Sequence, residues 1–155
     1  MLVQLTYWSK ITNHCSDKDC ALGKCEAEDL QALKEHAIVA NEKSGITGCL
    51  LRLDEYYLQT LEGSTANVNA LFHKLQEDTR HHKLQLVSFQ PITRRKYNDW
   101  MMVIDATDDE HRSFLLSYSS RVPFAFEEMS PIAVDMIIHE MYTKIKKARR
   151  FTDPQ

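Results

Sequence analysis

Four polar side chains stand where an amphipathic element would ordinarily carry a hydrocarbon. Val3, Leu5 and Tyr7 alternate onto one side of an N-terminal apolar stretch, and Ser9 continues the same side. Tyr57, Gln59 and Leu61 share one face of a second such stretch. A glutamine on a core-facing strand is costly unless its amide is hydrogen-bonded. The amide is both donor and acceptor, so it suits either a neighbouring polar group at a sheet edge or a ligand that offers both. Tyr7 reads as a core tyrosine whose hydroxyl finds a partner. Asn41, just before Gly45, either frays from a helix end or presents its amide to the same space. A second constellation is His14, Cys15, Cys20 and Cys25, the cysteines spaced by five. Zinc sites usually use tighter C-x₂₋₄-C pairs, so a metal site, a redox-active pair and a plain loop with reduced thiols all stay open. Cys49 lies in an apolar run and reads as inert core. Lys74, Asp78, Arg80 and His81 cluster at the end of an amphipathic stretch, where a solvated helix end is the plain reading. No nucleophile stands beside a base and no paired carboxylates have a reason to be buried, which argues against a hydrolase.

These residues need elements to hold them. Residues 2–7 read as a strand and residues 10–26 as a polar, turn-rich loop. Leu30, Leu33, Ala37 and Ala40 keep a helical period over residues 27–44, and Gly45 stops that helix by taking positive φ. Residues 49–53 and 56–61 form a hairpin about Asp54-Glu55. Ser64 or Thr65 caps a helix carrying Val68, Leu71, Phe72 and Leu75. Residues 84–92 give a fourth strand, interrupted at Pro91, followed by a basic turn over residues 93–97. Trp100, Met102 and Ile104 share one face of a fifth strand, where Trp and Met two apart are ordinary core. The acidic stretch 105–112 marks a boundary, and residues 113–119 read as a short helix. Ser130-Pro131 opens a last helix with Val134, Ile137, Ile138, Met141 and Ile145 in period. That stripe must bury, and the free face of the sheet is the economical place. The basic end, Lys144, Lys146, Lys147, Arg149 and Arg150, complements the helix dipole and needs no nucleic acid to explain it.

Composition agrees with a globular chain: 155 residues, 43% hydrophobic, 26% charged, formal net charge −3. That charge gives no global pull toward nucleic acid or an anionic membrane. No apolar run approaches the ~20 residues of a membrane span, and the N-terminus lacks a signal-peptide pattern. A cytoplasmic setting is therefore expected.

The pattern Asn41…Gly45-Ile46-Thr47-Gly48…Tyr57…Gln59…Leu61-Glu62-Gly63 resembles the signature of BLUF domains, the flavin-binding sensors of blue light. Tyr7-Trp8-Ser9 matches the family's Tyr-x-Ser, Asp78-Thr79-Arg80-His81 its Asp-x-Arg-His, and Trp100-Met101-Met102 its Trp-x-Met. The resemblance covers residues 1–105 and implies non-covalent FAD. It makes Tyr7 the electron donor to the excited flavin and the hydrogen-bond partner of Gln59. It places Ser9 and Asn41 at the cofactor, Lys74 near the ribityl-phosphate part, and Asp78 at the flavin or ordering its surroundings. Arg80 and His81 would face the phosphate or brace the loop, and Trp100 and Met102 would lie near the flavin and exchange places. Ala40 departs from the family, where a second polar contact is common. The implied fold is α+β, a ferredoxin-like β-α-β-β-α-β-β sheet with two helices on one face and a C-terminal helical cap. Residues 1–105 would be the flavin-binding core and residues 106–155 the extension. The implied function is photoreception without enzyme chemistry, with output through a homo-oligomer or a separate response protein at the helix over residues 134–145. A light-insensitive interaction module, favoured by Ala40, and a metal- or redox-responsive protein using the cysteine loop are the alternatives.

Overall fold

The computed structural model describes residues 1–12, 24–103, 109–119 and 125–152. His14, Cys15, Cys20, the side chain of Cys25 and Ile104 lie outside the described residues. The element order is β1 (Leu2–Ile11), α1 (Lys24–Lys43), β2 (Thr47–Leu53), β3 (Tyr56–Ser64), α2 (Thr65–Glu77), β4 (His81–Pro91), β5 (Trp100–Val103), α3 (Asp109–Leu116) and α4 (Pro131–Thr152). One mixed sheet has the order β4-β1-β3-β2-β5. Its pairs are antiparallel except β2 with β5, which is parallel. This is the expected α+β arrangement.

Local chemistry explains the element ends. Gly45 takes φ 61 after α1, and its N–H bonds back to the carbonyl of Glu42 at 3.1 Å. Asp54 takes φ 50 in the two-residue turn between Leu53 and Tyr56, a conformation its short polar side chain tolerates. The Ser64 hydroxyl accepts from the N–H of Asn67 at 3.2 Å and caps α2. Ser130 does the same for Ala133 at 3.2 Å, ahead of Pro131 at the start of α4. Strand lengths were less legible. β1 runs on to Ile11 and β4 begins at His81, because each supplies the other's ladder: Lys10 pairs with His82 and Ile11 with His81. Helix α1 starts at Lys24, inside the stretch expected as loop, and α3 at Asp109, inside the expected acidic boundary.

The sheet is covered on both faces, so β1 and β3 are buried almost end to end. On one face Val3, Leu5, Tyr7, Leu50, Leu61, Trp100 and Met102 pack with Val68, Leu71, Phe72 and Leu75 of α2 and Ala37 of α1. On the other, Trp8, Cys49, Leu51, Leu58 and Met101 meet Val134, Ile137, Ile138 and Met141 of α4. Each of those four α4 side chains contributes up to about 1.5–3 kcal/mol by leaving water. The apolar stripe of α4 is therefore spent on the sheet. Burial on the sheet is as expected, and the exposed apolar residues of α4 are Ile132, Met136 and Phe151. Burial of both faces also traps polar strand residues, which find partners across the sheet and on α4: Gln4 Nε2 donates to Glu62 Oε1 at 3.0 Å, and Thr6 to Asp135 of α4 at 2.6 Å.

Candidate functional site

A cleft of about 290 Å³ opens between α1 and α2 above the first sheet face. It lies near the lower end of the ~300–1,000 Å³ usual for small-ligand clefts. The strand register builds its floor. Tyr7 and Gln59 are direct cross-strand partners, so their side chains rise together on the cleft face. The Tyr7 hydroxyl donates to Gln59 Oε1 at 2.5 Å. Tyr7 is 2% exposed, and burial pushes its phenol up, with the charge of Asp78 adding to the effect. The group stays protonated at ordinary pH, so it always offers a proton with any electron it gives.

Three polar groups at the cleft have no partner among the described residues. The Gln59 side chain bonds only through its oxygen, leaving the amide nitrogen open to the cleft. Asn41 is 5% exposed, and its carboxamide lines the cleft unbonded. The indole N–H of Trp100, in the cleft wall, is buried and unsatisfied. Left unmade, the buried indole N–H costs about 1–3 kcal/mol, and the two amides, which water can reach from the cleft, cost less. They suit a ligand with donors and acceptors along its edge. Ala37, Ala40, Leu50, Tyr57, Leu71 and Leu75 supply apolar walls that suit its faces. Together they fit a flat heteroaromatic ring, as FAD has.

The mouth is charged. Lys74 is exposed there on α2, beside Arg80 and Asp78. Arg80 grips Asp78 in a fork, Nε to Oδ1 at 2.9 Å and Nη2 to Oδ2. That pairing holds the Asp78 carboxyl below its ordinary range, against the opposing effect of burial. His81 lines the cleft and is locked at both nitrogens. Nε2 donates to the carbonyl of Leu75 at 2.5 Å, since a carbonyl only accepts, and Nδ1 faces the Ser9 hydroxyl at 2.7 Å.

Of the residues singled out from sequence, Tyr7, Asn41, Gln59, Lys74, Asp78, Arg80, His81 and Trp100 converge on one cleft. Two do not reach it. Ser9 is fully buried and braces His81 from behind. Met102 is 1% exposed and lines the neighbouring cavity, on the far side of Trp100. Both placements follow from packing, since sharing a sheet face does not decide which residues a helix covers. His36 was not foreseen; it lines the cleft one helical turn before Ala40, and the i, i+4 spacing is the signal that finds it. Among the described residues no group of three or more His, Cys, Asp or Glu is placed to hold a metal ion.

Sheet topology and cleft together define a small-ligand-binding α+β module, its ligand site between two helices on one sheet face. The chain belongs to the BLUF family, described as sensors of blue-light using FAD, whose model matches residues 2–103. It is a blue-light sensor that uses FAD. It is similar to the photoactivated adenylate cyclase subunit beta of Euglena gracilis, 30% identical over 101 residues, covering 65% of this chain and 11% of that protein. The subunit alpha of the same organism is 33% identical over 79 residues, 51% of this chain and 8% of that one. The chain thus spans about a tenth of the length of these curated relatives. Among solved structures, BlrB, a BLUF protein in its dark state, is 26% identical with a TM-score of 0.66, covering 90% of this chain and 96% of that one. The photo-activated state of BlsA has a TM-score of 0.73 at 24% identity, covering 90% and 94%; at that identity the likeness is one of fold.

Proposed function

We propose that the Tyr7–Gln59 pair is the photoswitch and that its rearrangement is the module's output. The carrying observation is the buried 2.5 Å hydrogen bond from Tyr7 to Gln59 Oε1, beside an amide nitrogen open to the cleft. FAD, when bound, supplies absorption of blue light and an excited state that accepts an electron. Tyr7 gives that electron, and its hydroxyl proton passes to Gln59 Oε1. The electron would return to Tyr7 with one proton, so there is no net chemistry and no product. Return of the Oε1 proton would leave Gln59 rotated; return of a proton from its amide nitrogen, with Oε1 keeping the first, would leave it tautomerised, and either changes the hydrogen bonding it offers to the ring. Asn41 and Trp100 orient the ring edge. Lys74 and Arg80 at the mouth favour the phosphates, with Asp78 and His81 fixing that rim. Trp100 and Met102, two apart on one face of β5, shift in response, residues 1–105 acting as the flavin-binding core and residues 106–155 as the extension that relays the change.

On this reading the chain itself is not an enzyme. Output goes to a second copy or a separate response protein, as the fusion of related sensors to cyclases suggests. No helix among the described residues is long and apolar enough to cross a membrane; we infer a cytoplasmic setting and no nucleic-acid role. The test is the absorption spectrum of the FAD-loaded protein before and after blue light. A red shift that reverses in the dark is expected, and Gln59→Leu should keep the flavin and lose the shift. A normal shift in that variant overturns the switch. Failure to take up FAD leaves the light-insensitive module, which Ala40 favours.

A further inference from the structure

Trp100, in the wall of the flavin cleft, follows directly on a cluster that belongs to the opposite side of the molecule. The Asp99 carboxylate accepts from the Tyr142 hydroxyl at 2.9 Å and from Lys146 Nζ at 2.5 Å, both on α4. The same Tyr142 oxygen accepts the backbone N–H of Asn98 at 3.1 Å. The Tyr142 ring packs edge-on against Tyr97, centroids 4.9 Å apart. The carbonyl of Asp99 in turn accepts from the N–H of Gly48 at 2.9 Å. Residues 97–99 are therefore held at once to β2 and to α4. Tyr142 and Lys146 are one helical turn apart on one face of α4, so the grip acts on a single point of the helix. Tyr142 is 5% exposed, and its hydroxyl is satisfied as both donor and acceptor. A displaced Asp99 would leave the Tyr142 hydroxyl with only the Asn98 N–H, and Lys146 without its carboxylate, so the grip on α4 is lost at one place.

Building on the photosensor reading, we propose that the Asp99–Tyr142–Lys146 cluster is the joint between cleft and helix. Displacement of Trp100 pulls Asp99 from Tyr142 and releases the C-terminal half of α4 in the light. The exposed ion pair to Lys146 contributes little by itself. The hydroxyl–carboxylate bond, part-buried and made to a charged acceptor, contributes more.

The experiment measures amide hydrogen exchange of residues 143–152 in the FAD-loaded full chain, dark and under blue light, with the absorption spectrum recorded on the same samples. In the unmodified protein, light should raise exchange there about fivefold or more, the lower range of coupling between linked sites. Tyr142→Phe keeps the ring against Tyr97 and removes only the hydroxyl, and Asp99→Asn removes the charge. Both should keep the flavin red shift, exchange fast already in the dark, and show a light-to-dark ratio near one. Retention of the unmodified ratio in both variants overturns the joint. So does a red-shifting unmodified protein whose α4 exchange is unchanged by light. Absence of any red shift in the unmodified protein is a separate result; it refutes the photosensor reading and the joint with it.

Discussion

The Tyr7–Gln59 hydrogen bond can be weighed by a double-mutant cycle. In Gln59→Leu the Tyr7 hydroxyl, 2% exposed, loses its acceptor. An unsatisfied buried hydroxyl costs about 1–3 kcal/mol. For a chain of this length 1 kcal/mol is about 2–4 °C in Tm, so a loss of about 2 kcal/mol lowers Tm by about 4–8 °C. Tyr7→Phe leaves Gln59 Oε1 unpaired instead. The amide also faces the cleft, where water can reach it, so the loss is smaller, about 1 kcal/mol. With both residues replaced by apolar groups neither polar atom is left over. The double variant should therefore be more stable than the two losses summed, by about 1–2 kcal/mol. Thermal unfolding of the flavin-free protein, followed by circular dichroism, measures the cycle without a contribution from ligand binding. Light-minus-dark spectra of the FAD-loaded variants complete it, and both single variants should lose the red shift. Strict additivity of the losses would show that the two side chains do not interact. A Tyr7→Phe protein with the normal photocycle would remove Tyr7 from the donor role.

Gly48→Ala should unfold the hairpin. Gly48 sits at φ 149, and a Cβ there would lie 1.9 Å from the carbonyl oxygen of Thr60. Backbone must move on both strands, so a loss above about 3 kcal/mol is expected; a Tm near that of the unmodified protein would refute it. The Asp78–Arg80 fork gives an acid limit. Arg80 depresses the Asp78 carboxyl in the folded state. Its contribution is thus present above the unfolded value of about 3.9 and disappears as pH falls through the lower folded value. Partial exposure of the pair keeps the effect below about 1 kcal/mol. Arg80→Gln should lower Tm slightly above about pH 4 and converge with the unmodified protein near about pH 2. A difference of the same size across the whole range would place the effect elsewhere.

Local rules were enough for much of this protein. Periodicity of apolar side chains marked α2 and α4, and Gly45, Ser64 and Ser130 marked their neighbours' ends, because caps and turns are decided within about one turn of chain. Period two put Tyr7 and Gln59 on core-facing sides of their strands, and the spacing of residues 41–63 was specific enough to show the family resemblance. What local rules do not reach is pairing over distance. Thr6 and Asp135, 129 residues apart, meet only because α4 crosses the second sheet face. The same crossing consumes the stripe that the sequence leaves free to bind anything apolar. Ser9 belongs to His81 rather than to the cleft because β1 and β4 extend each other. The register that sets the Tyr7 hydroxyl 2.5 Å from Gln59 Oε1 is likewise a property of two strands held together. The sequence determined which side chains face inward; only the packed sheet decided which of them touch, since a one-residue slip between strands turns every side chain to the other face.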